Sequence, residues 1–484
     1  MALDTLDDAS PILFWCAVVF LVSTELYYLL PESVSDKIGQ YFLNLGSIIH
    51  DYSSGRYYKP WKSSKSIVVV SSKRQIMELS EAPVLSQRAA YADMFGFKHT
   101  MNKLDHHDHK VARSRLYGRL LQVNGPTNLA KLYPHLQKRL EQSLSQELEA
   151  GVFIDGSVSI PIAQTVRRLA SRMNSLLFFG ERLSADPVFA EALLRYPADM
   201  VKCMAAFQVT PSFLSPVVHS LLTNRGRAMH IIQNQLINVL GVNQKNWQEV
   251  PEIKEMTIIH NMSEMVEGND YWSPEVLSQA LLGIWFAASH QPWMNLDFIL
   301  LELCARPEWQ SILRNEIGDF SAYDYDRLEK LPLLDSFIKE TIRMNPLDTL
   351  AIRRKALEKF TFSDGGIHVP KGSTACVSSF NLMHDKEVYP DPDEFDGRRF
   401  VTTMSSARGT KLTEVSEKFP IWGYGSLACP GRFHASLVIK MILAHLLSSF
   451  DLRFANEKAR RKWSWETFTM PYESTRVVLT KRKL

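Results

Sequence analysis

The residue whose type and setting most clearly permit chemistry is Cys429, in the run WGYGSLACPG from Trp422 to Gly431. The chain has 5 cysteines, Cys16, Cys203, Cys304, Cys376 and Cys429. They are widely spaced with no CxxC pair, so neither a disulfide scaffold nor a Cys-rich zinc module is encoded. Cys429 alone stands in a special environment. Gly425 precedes it and Gly431 follows it, which lets the backbone approach something flat and bulky without Cβ collisions. An apolar helix begins near Arg432, offering the sulfur backbone N–H donors and a positive dipole end, both of which favour thiolate. A thiolate on such a loop, with aromatic Trp422 upstream, suits the proximal side of a haem iron. The competing reading of this decapeptide is a buried free cysteine in a Gly-rich turn.

The stretch resembles the haem-binding signature FxxGxxxCxG of the cytochrome P-450 haem-thiolate monooxygenases. Trp422 stands at the Phe position, and Gly425, Cys429 and Gly431 match. Other landmarks of that family follow in the right order. Glu340 and Arg343 in KETIRMNP supply ExxR, FDGRRF supplies Arg399 of the meander motif, and HDHKVAR places His109 and Arg113 at the positions of W/HxxxR. A lone ExxR is an ordinary helical ion pair; the joint order carries the resemblance. Fungal microsomal members of the kaurene-oxidase-like kind are nearest in texture. The resemblance implies a mainly α fold with a minor β-sheet region and heme b ligated axially by Cys429. It also implies a buried network of Glu340, Arg343 and Arg399 that fixes the cysteine loop, and haem propionates held by His109, Arg113 and one of Arg353 or Arg354.

Two departures from the family pattern bear on mechanism. Leu427 replaces the basic residue that usually meets a propionate two positions before the cysteine. On the central helix, AASHQPW from Ala287 to Trp293 replaces the usual oxygen-activating sequence. Ala288, Ser289, His290 and Gln291 therefore occupy the catalytic segment, with Gln291 at the threonine position and His290 at the acid position. A neutral amide relays protons poorly compared with a hydroxyl. Pro292 removes an N–H and frees the carbonyl of Ala288, so a kink opening a groove at the haem face is expected. His290 is read either as a participant or as a packed core residue.

The elements that must position these residues are long helical patterns at Leu129 to Ala150, Ile160 to Phe179, Asn224 to Leu240, Pro274 to Arg306, Glu308 to Phe320 and Arg432 to Phe450. Short strand-like runs lie near Ile67, between Leu350 and Val377, and near the C-terminus. With no internal linker or repeat, one large haem domain over 61–484 is expected, in spite of the length of 484 residues. Ahead of it, Pro11 to Leu30 is long and apolar enough to cross a bilayer. Acidic residues before it and basic residues after it predict a lumenal 1–10, a transmembrane anchor at 11–31, a membrane-proximal linker at 32–60 and a cytosolic catalytic domain. This corresponds to a single-pass protein of the endoplasmic reticulum membrane. The sequon at Asn261 is inert on that topology.

Lys+Arg 55 against Asp+Glu 52 gives a formal charge of +3, too little excess for a nucleic-acid binder. No GxGxxG follows a strand, so electrons are expected from an NADPH-cytochrome reductase. Arg432, Lys440 and Lys110 are expected to make a basic docking face for that acidic partner. The segments Tyr91 to Met101, Met204 to Leu214, Leu347 to Ile352 and Phe468 to Tyr472 carry many aromatics and few charges, which points to a lipophilic small-molecule substrate. The resemblance implies a monomeric monooxygenase acting on a terpenoid or polyketide-type fungal secondary metabolite. Desaturation, ring formation or rearrangement on the same fold is the alternative raised by Gln291, and a non-catalytic haem binder is a third. A non-haem metal site at DHHDH, Asp105 to His109, is disfavoured because adjacent ligands do not share a helical face.

Overall fold

The 32-residue helix Pro274–Ala305 is apolar on nearly every face, a pattern that suits only a helix packed on all sides. Its start is encoded locally. Ser273 accepts a hydrogen bond from the Val276 amide, Pro274 occupies the first helical position, and Glu275 lies in the first turn. Around it pack the helices Ile162–Ser184, Pro187–Val209, Arg227–Leu240, Pro332–Met344 and Arg432–Ser449. The computed structural model describes residues 67–101, 110–210, 212–241, 250–266, 272–320, 323–401, 411–425 and 428–482.

The sheets are small. β1 (Ile67–Val70), β2 (Leu85–Ser86), β5 (Leu350–Ala356) and β8 (Thr374–Ser378) form one sheet in the order β1-β8-β5-β2, with β1 and β8 parallel and the other pairs antiparallel. β3 (Val152–Ile154), β4 (Ser157–Pro161), β9 (Phe450–Phe454) and β12 (Arg476–Lys481) form an antiparallel sheet in the order β3-β4-β12-β9. β6 (Phe360–Thr361) pairs with β7 (His368–Val369), and β10 (Lys462–Trp465) with β11 (Phe468–Pro471). This is the mainly α architecture with a minor β component that the sequence predicts.

Several boundaries move. The pattern expected over Leu129 to Ala150 is Pro126–Glu149, Asn224 to Leu240 contracts to Arg227–Leu240, and Ile160 to Phe179 extends as Ile162–Ser184. Helix Pro187–Val209 and the hairpin β3–β4 are additional. Pro197 inside the former obscures its period, although Asp186 caps its start through the Val188 and Phe189 amides. The anchor at 11–31 and its flanks, 1–10 and 32–60, lie outside the described residues. Among the described residues, no helix is long and apolar enough to cross a membrane. Asn261 lies within helix Ile258–Val266, where its side-chain amide donates to the Glu255 and Thr257 carbonyls at 2.8 Å. That fixes the sequon inside a helix.

Candidate active site

Helix Pro332–Met344 begins at Pro332, and its next two amides, Leu333 and Leu334, donate to the Glu316 carboxylate at 2.7 and 2.8 Å. Thus fastened, the helix presents Glu340 and Arg343 on one side, both 0% exposed. Arg343 donates through Nε and Nη2 to Glu340 at 2.8 and 2.9 Å, and through Nη1 to the carbonyls of Met383 and Pro392 at 2.9 and 2.6 Å. Arg399 Nε meets both Glu340 oxygens at 3.1 Å, and the Asp396 amide adds a bond at 2.9 Å. The structure therefore brings Glu340, Arg343 and Arg399 into one satisfied cluster spanning a helix and the 383–400 meander.

The cysteine loop leads into helix Arg432–Ser449. The Cys429 amide donates to the Trp422 carbonyl at 2.7 Å, the Trp422 indole donates to Leu412 O at 2.6 Å, and Arg432 Nη1 donates to Cys429 O at 2.9 Å. Tyr117 also reaches the Ala428 carbonyl with its hydroxyl. Gly425 has φ +68°, a left-handed conformation that a side chain there would strain. Gly431 differs from expectation. Its φ is −92°, and a Cβ placed on it would meet Cys429 Sγ at an ordinary 4.0 Å. It stands at the N-cap of helix Arg432–Ser449, with no atom among the described residues that a Cβ would collide with.

Burial pushes the Cys429 thiol up, against the opposing pull of the Gly431 and Arg432 amides and the Arg432 guanidinium. The two helix-start amides thus act in the direction the sequence predicts, toward thiolate, and burial opposes them. Cys203, Cys304 and Cys376 are sealed in the core with thiols pushed up to about 12, whereas Cys429 is only partly buried. Cys16 lies outside the described residues.

Arg353 is not free to meet a propionate. It donates to Asp348 at 2.9 and 2.8 Å and to Thr467 at 2.7 Å. Burial disfavours its charge, but Asp348 more than compensates and its pKa ends above the ordinary value. Its neighbour Arg354 is 2% exposed and, among the described residues, bonds only the Arg353 carbonyl and leaves Nε without a partner. Burial lowers its pKa to about 10. A guanidinium buried without a carboxylate among the described residues, a sulfur with two amides on it, and a distal helix face on which Ala287 and Gln291 are exposed fit a dianionic, flat, iron-centred cofactor. His109 and Leu427 lie outside the described residues. Arg113 sits on helix Lys110–Val123, one of whose later residues is Tyr117. Among the described residues, no group of three or more His, Cys, Asp or Glu is placed to hold a metal ion.

On the distal helix, Ser289 Oγ donates to Trp285 O at 2.7 Å, so its hydroxyl is engaged within the helix. His290 stacks on Phe286 at 5.5 Å and meets Trp293 edge-on at 6.1 Å, while Phe286 packs edge-on against Phe95 at 4.8 Å. The imidazole is thus one rung of an aromatic stack. Burial drives its pKa down to about 4, and Arg167 acts in the same direction. The helix runs from Pro274 to Ala305 through Pro292, and the Ala288 carbonyl expected to open a groove accepts a bond from Asn174 Nδ2 at 3.0 Å. Sequence periodicity holds no signal for that partner, which lies 114 residues away.

A testable consequence concerns acid stability. Because folding lowers the His290 pKa, the unfolded chain takes up a proton that the folded one refuses, so stability falls as pH drops from about 6.5 toward 4. His290→Phe keeps the stack and removes this loss. Between pH 7.5 and pH 5 the variant should gain about 2 kcal/mol relative to the parent, read by denaturant unfolding. An equal pH slope in both proteins would show that His290 is protonated in the fold. His434, buried with a pKa near 3, retains its own acid-sensitive contribution in either protein.

The expected substrate segments meet one another. Phe207 covers Gly96, where a Cβ would fall 2.4 Å from its ring, Asp348 bridges to Phe468, and Arg353 stands 5.6 Å from the Phe468 ring centre. Phe95, Phe97 and Phe207 are themselves buried in apolar clusters, so they shape the wall from behind. The expected basic docking face loses one member. Lys440 is 0% exposed and paired with Asp335 at 2.7 Å and Glu329 at 3.2 Å, which locks the C-terminal helix to its neighbours. Arg432 is tied to the cysteine loop and lies over Phe433 at 4.4 Å.

This fold and site define a haem-thiolate oxidoreductase. The cytochrome P-450 family profile matches residues 51–478, and the chain belongs to that family of monooxygenases, which bind haem iron through a cysteine and incorporate oxygen. The chain is 28% identical over 431 residues to cytochrome P-450 monooxygenase janP of Penicillium janthinellum, covering 86% of this chain and 81% of the relative. It is 27% identical over 417 residues to paxP of Penicillium paxilli, covering 84% and 78%. Its fold matches retinoic acid-bound cyanobacterial CYP120A1 with a TM-score of 0.66 at 19% identity, covering 86% of this chain and 90% of that one.

Proposed function

We propose that Cys429 is the axial ligand of heme b and that the protein is a monomeric monooxygenase. It inserts one oxygen atom into a lipophilic terpenoid or polyketide-type secondary metabolite, with electrons from an NADPH-cytochrome reductase. The carrying observation is Cys429 at a helix start with the Gly431 and Arg432 amides on its sulfur, in a residue less buried than the other described cysteines. Arg354, with His109 and Arg113, neutralises the propionates, and Arg354 takes the part that Leu427 cannot. When bound, the haem supplies oxygen activation and the oxidising equivalent. The chain's own residues fasten the cysteine loop, hold the pocket wall and exclude water. The secondary-metabolite assignment leans on the similarity to Penicillium monooxygenases. Anchoring to the endoplasmic reticulum membrane rests on the apolar 11–31.

A second reading, desaturation, ring formation or rearrangement, is favoured by one feature. The exposed Gln291 has no acidic hydrogen, and the Ser289 hydroxyl beside it is already committed to Trp285. Expression with a reductase and a panel of terpenoid and polyketide precursors, under labelled dioxygen, decides between them. One labelled atom in the product supports monooxygenation; a modified product without label supports the second reading. Gln291→Ala is expected to lower coupling of NADPH use to product and shift the product ratio. Unchanged coupling and ratio would remove Gln291 from the chemistry.

A further inference from the structure

Pro292 leaves the Ala288 carbonyl without its helical donor. Ala288 is partly buried, on a helix that packs against Ile162–Ser184 and is flanked by aromatic rings one turn earlier. Phe178 and Phe179 pack against Trp285 with ring centres 5.3 and 5.5 Å apart, and the Trp285 indole donates to Leu193 O at 2.9 Å. Asn174, on helix Ile162–Ser184 and 2% exposed, supplies the missing donor at 3.0 Å. A partly buried carbonyl without a protein donor must draw in water or go unsatisfied, which is costly. The bond sits beside Ala287 and Ser289, one turn before Gln291.

We propose that Asn174 is a positioning residue for the oxygen chemistry. Its amide replaces the Pro292 N–H, closes the helix at Ala288, and thereby fixes the register of Ser289 and Gln291 while keeping stray water from the distal face. This rests on the reading that residues 287–291 face the oxygen site of a bound haem. The proline and the asparagine are one device: the proline opens a polar position in the helix wall, and the neighbouring helix fills it with a fixed donor.

The test is a four-protein cycle on the full-length haem-loaded enzyme: parent, Asn174→Leu, Pro292→Ala, and the double variant. Leucine keeps the volume without the donor, and Pro292→Ala restores an N–H to Ala288. In the parent background, Asn174→Leu should weaken the folding equilibrium roughly tenfold, the scale of one lost hydrogen bond at a partly buried carbonyl. It should also move the substrate-free ferric Soret band and raise the peroxide released per NADPH consumed with reductase. In the Pro292→Ala background all three effects should shrink to within about twofold. Equal effects in both backgrounds would overturn the proposal and leave Asn174 as packing only. Coupling seen in stability alone, with Soret band and peroxide unmoved, would overturn the oxygen-site role while leaving the hydrogen bond intact. A parent whose reduced CO complex lacks the thiolate spectrum would instead overturn the haem-thiolate reading beneath it.

Discussion

Replacing Glu340 with alanine is expected to leave little folded, haem-loaded protein. The carboxylate neutralises two arginines at once: Arg343 bonds it at 2.8 and 2.9 Å and Arg399 at 3.1 Å, and the Asp396 amide closes the remaining side. Removing it strands the Arg343 guanidinium at 0% exposure among carbonyl oxygens, the Met344 sulfur and the Tyr389 ring, with no carboxylate among its described partners. Breaking such a buried pair costs about 3–5 kcal/mol, against a total domain stability of about 5–15 kcal/mol. The loss should propagate, because Arg399 anchors the 390–400 meander. Glu340→Gln preserves shape and acceptors but not charge, so it should fall between parent and alanine. Haem content per chain and denaturant unfolding read both variants. An alanine variant with parental stability and haem content would show that the cluster does not hold the fold.

How much of this was legible in the sequence depends on the distance over which each feature is encoded. Helix starts at Ser273 and Asp186 are written within three or four residues, since their caps are local. Glu340, Arg343 and Arg399 could be named because resemblance to the cytochrome P-450 motifs supplies their types and order, although no pattern announces that Asp396 completes the cluster. Arg353 and Arg354 show where reading by position fails. Adjacent and identical in type, they are distinguished only by Asp348 and Thr467, the latter brought in from a distant hairpin. Lys440 failed for a related reason: a lysine on an apolar helix reads as snorkelling to solvent, yet Glu329 and Asp335 meet it in the interior. That Pro292 withdraws the helical donor of the Ala288 carbonyl is legible from sequence alone, because proline has no N–H. Its capture by Asn174 depends on helix packing, and one-dimensional periodicity carries no information about which polar side chain will face it.

Cys429→Ser is expected to abolish turnover while leaving the fold nearly untouched. The loop is held by groups other than sulfur: the Cys429 amide on Trp422 O, Arg432 on Cys429 O, the Trp422 indole on Leu412 O, and Tyr117 on Ala428 O. A serine hydroxyl can accept the amides of Gly431 and Arg432 that now reach the sulfur. Stability of the haem-free chain should therefore stay within about 0.5 kcal/mol of the parent. The chemistry cannot survive, because the same burial that pushes the thiol up leaves a far less acidic alcohol neutral, and a neutral oxygen lacks the electron donation that favours O–O cleavage. Absorbance of the reduced CO complex checks the ligand independently of substrate: the thiolate spectrum should vanish in the serine variant. Its persistence would require another cysteine at the iron, against the geometry that seals Cys203, Cys304 and Cys376 in the core. Haem that remains bound in the variant would then measure what the proposed propionate partners contribute without the sulfur, and on that proposal Arg354→Leu in that background should release it.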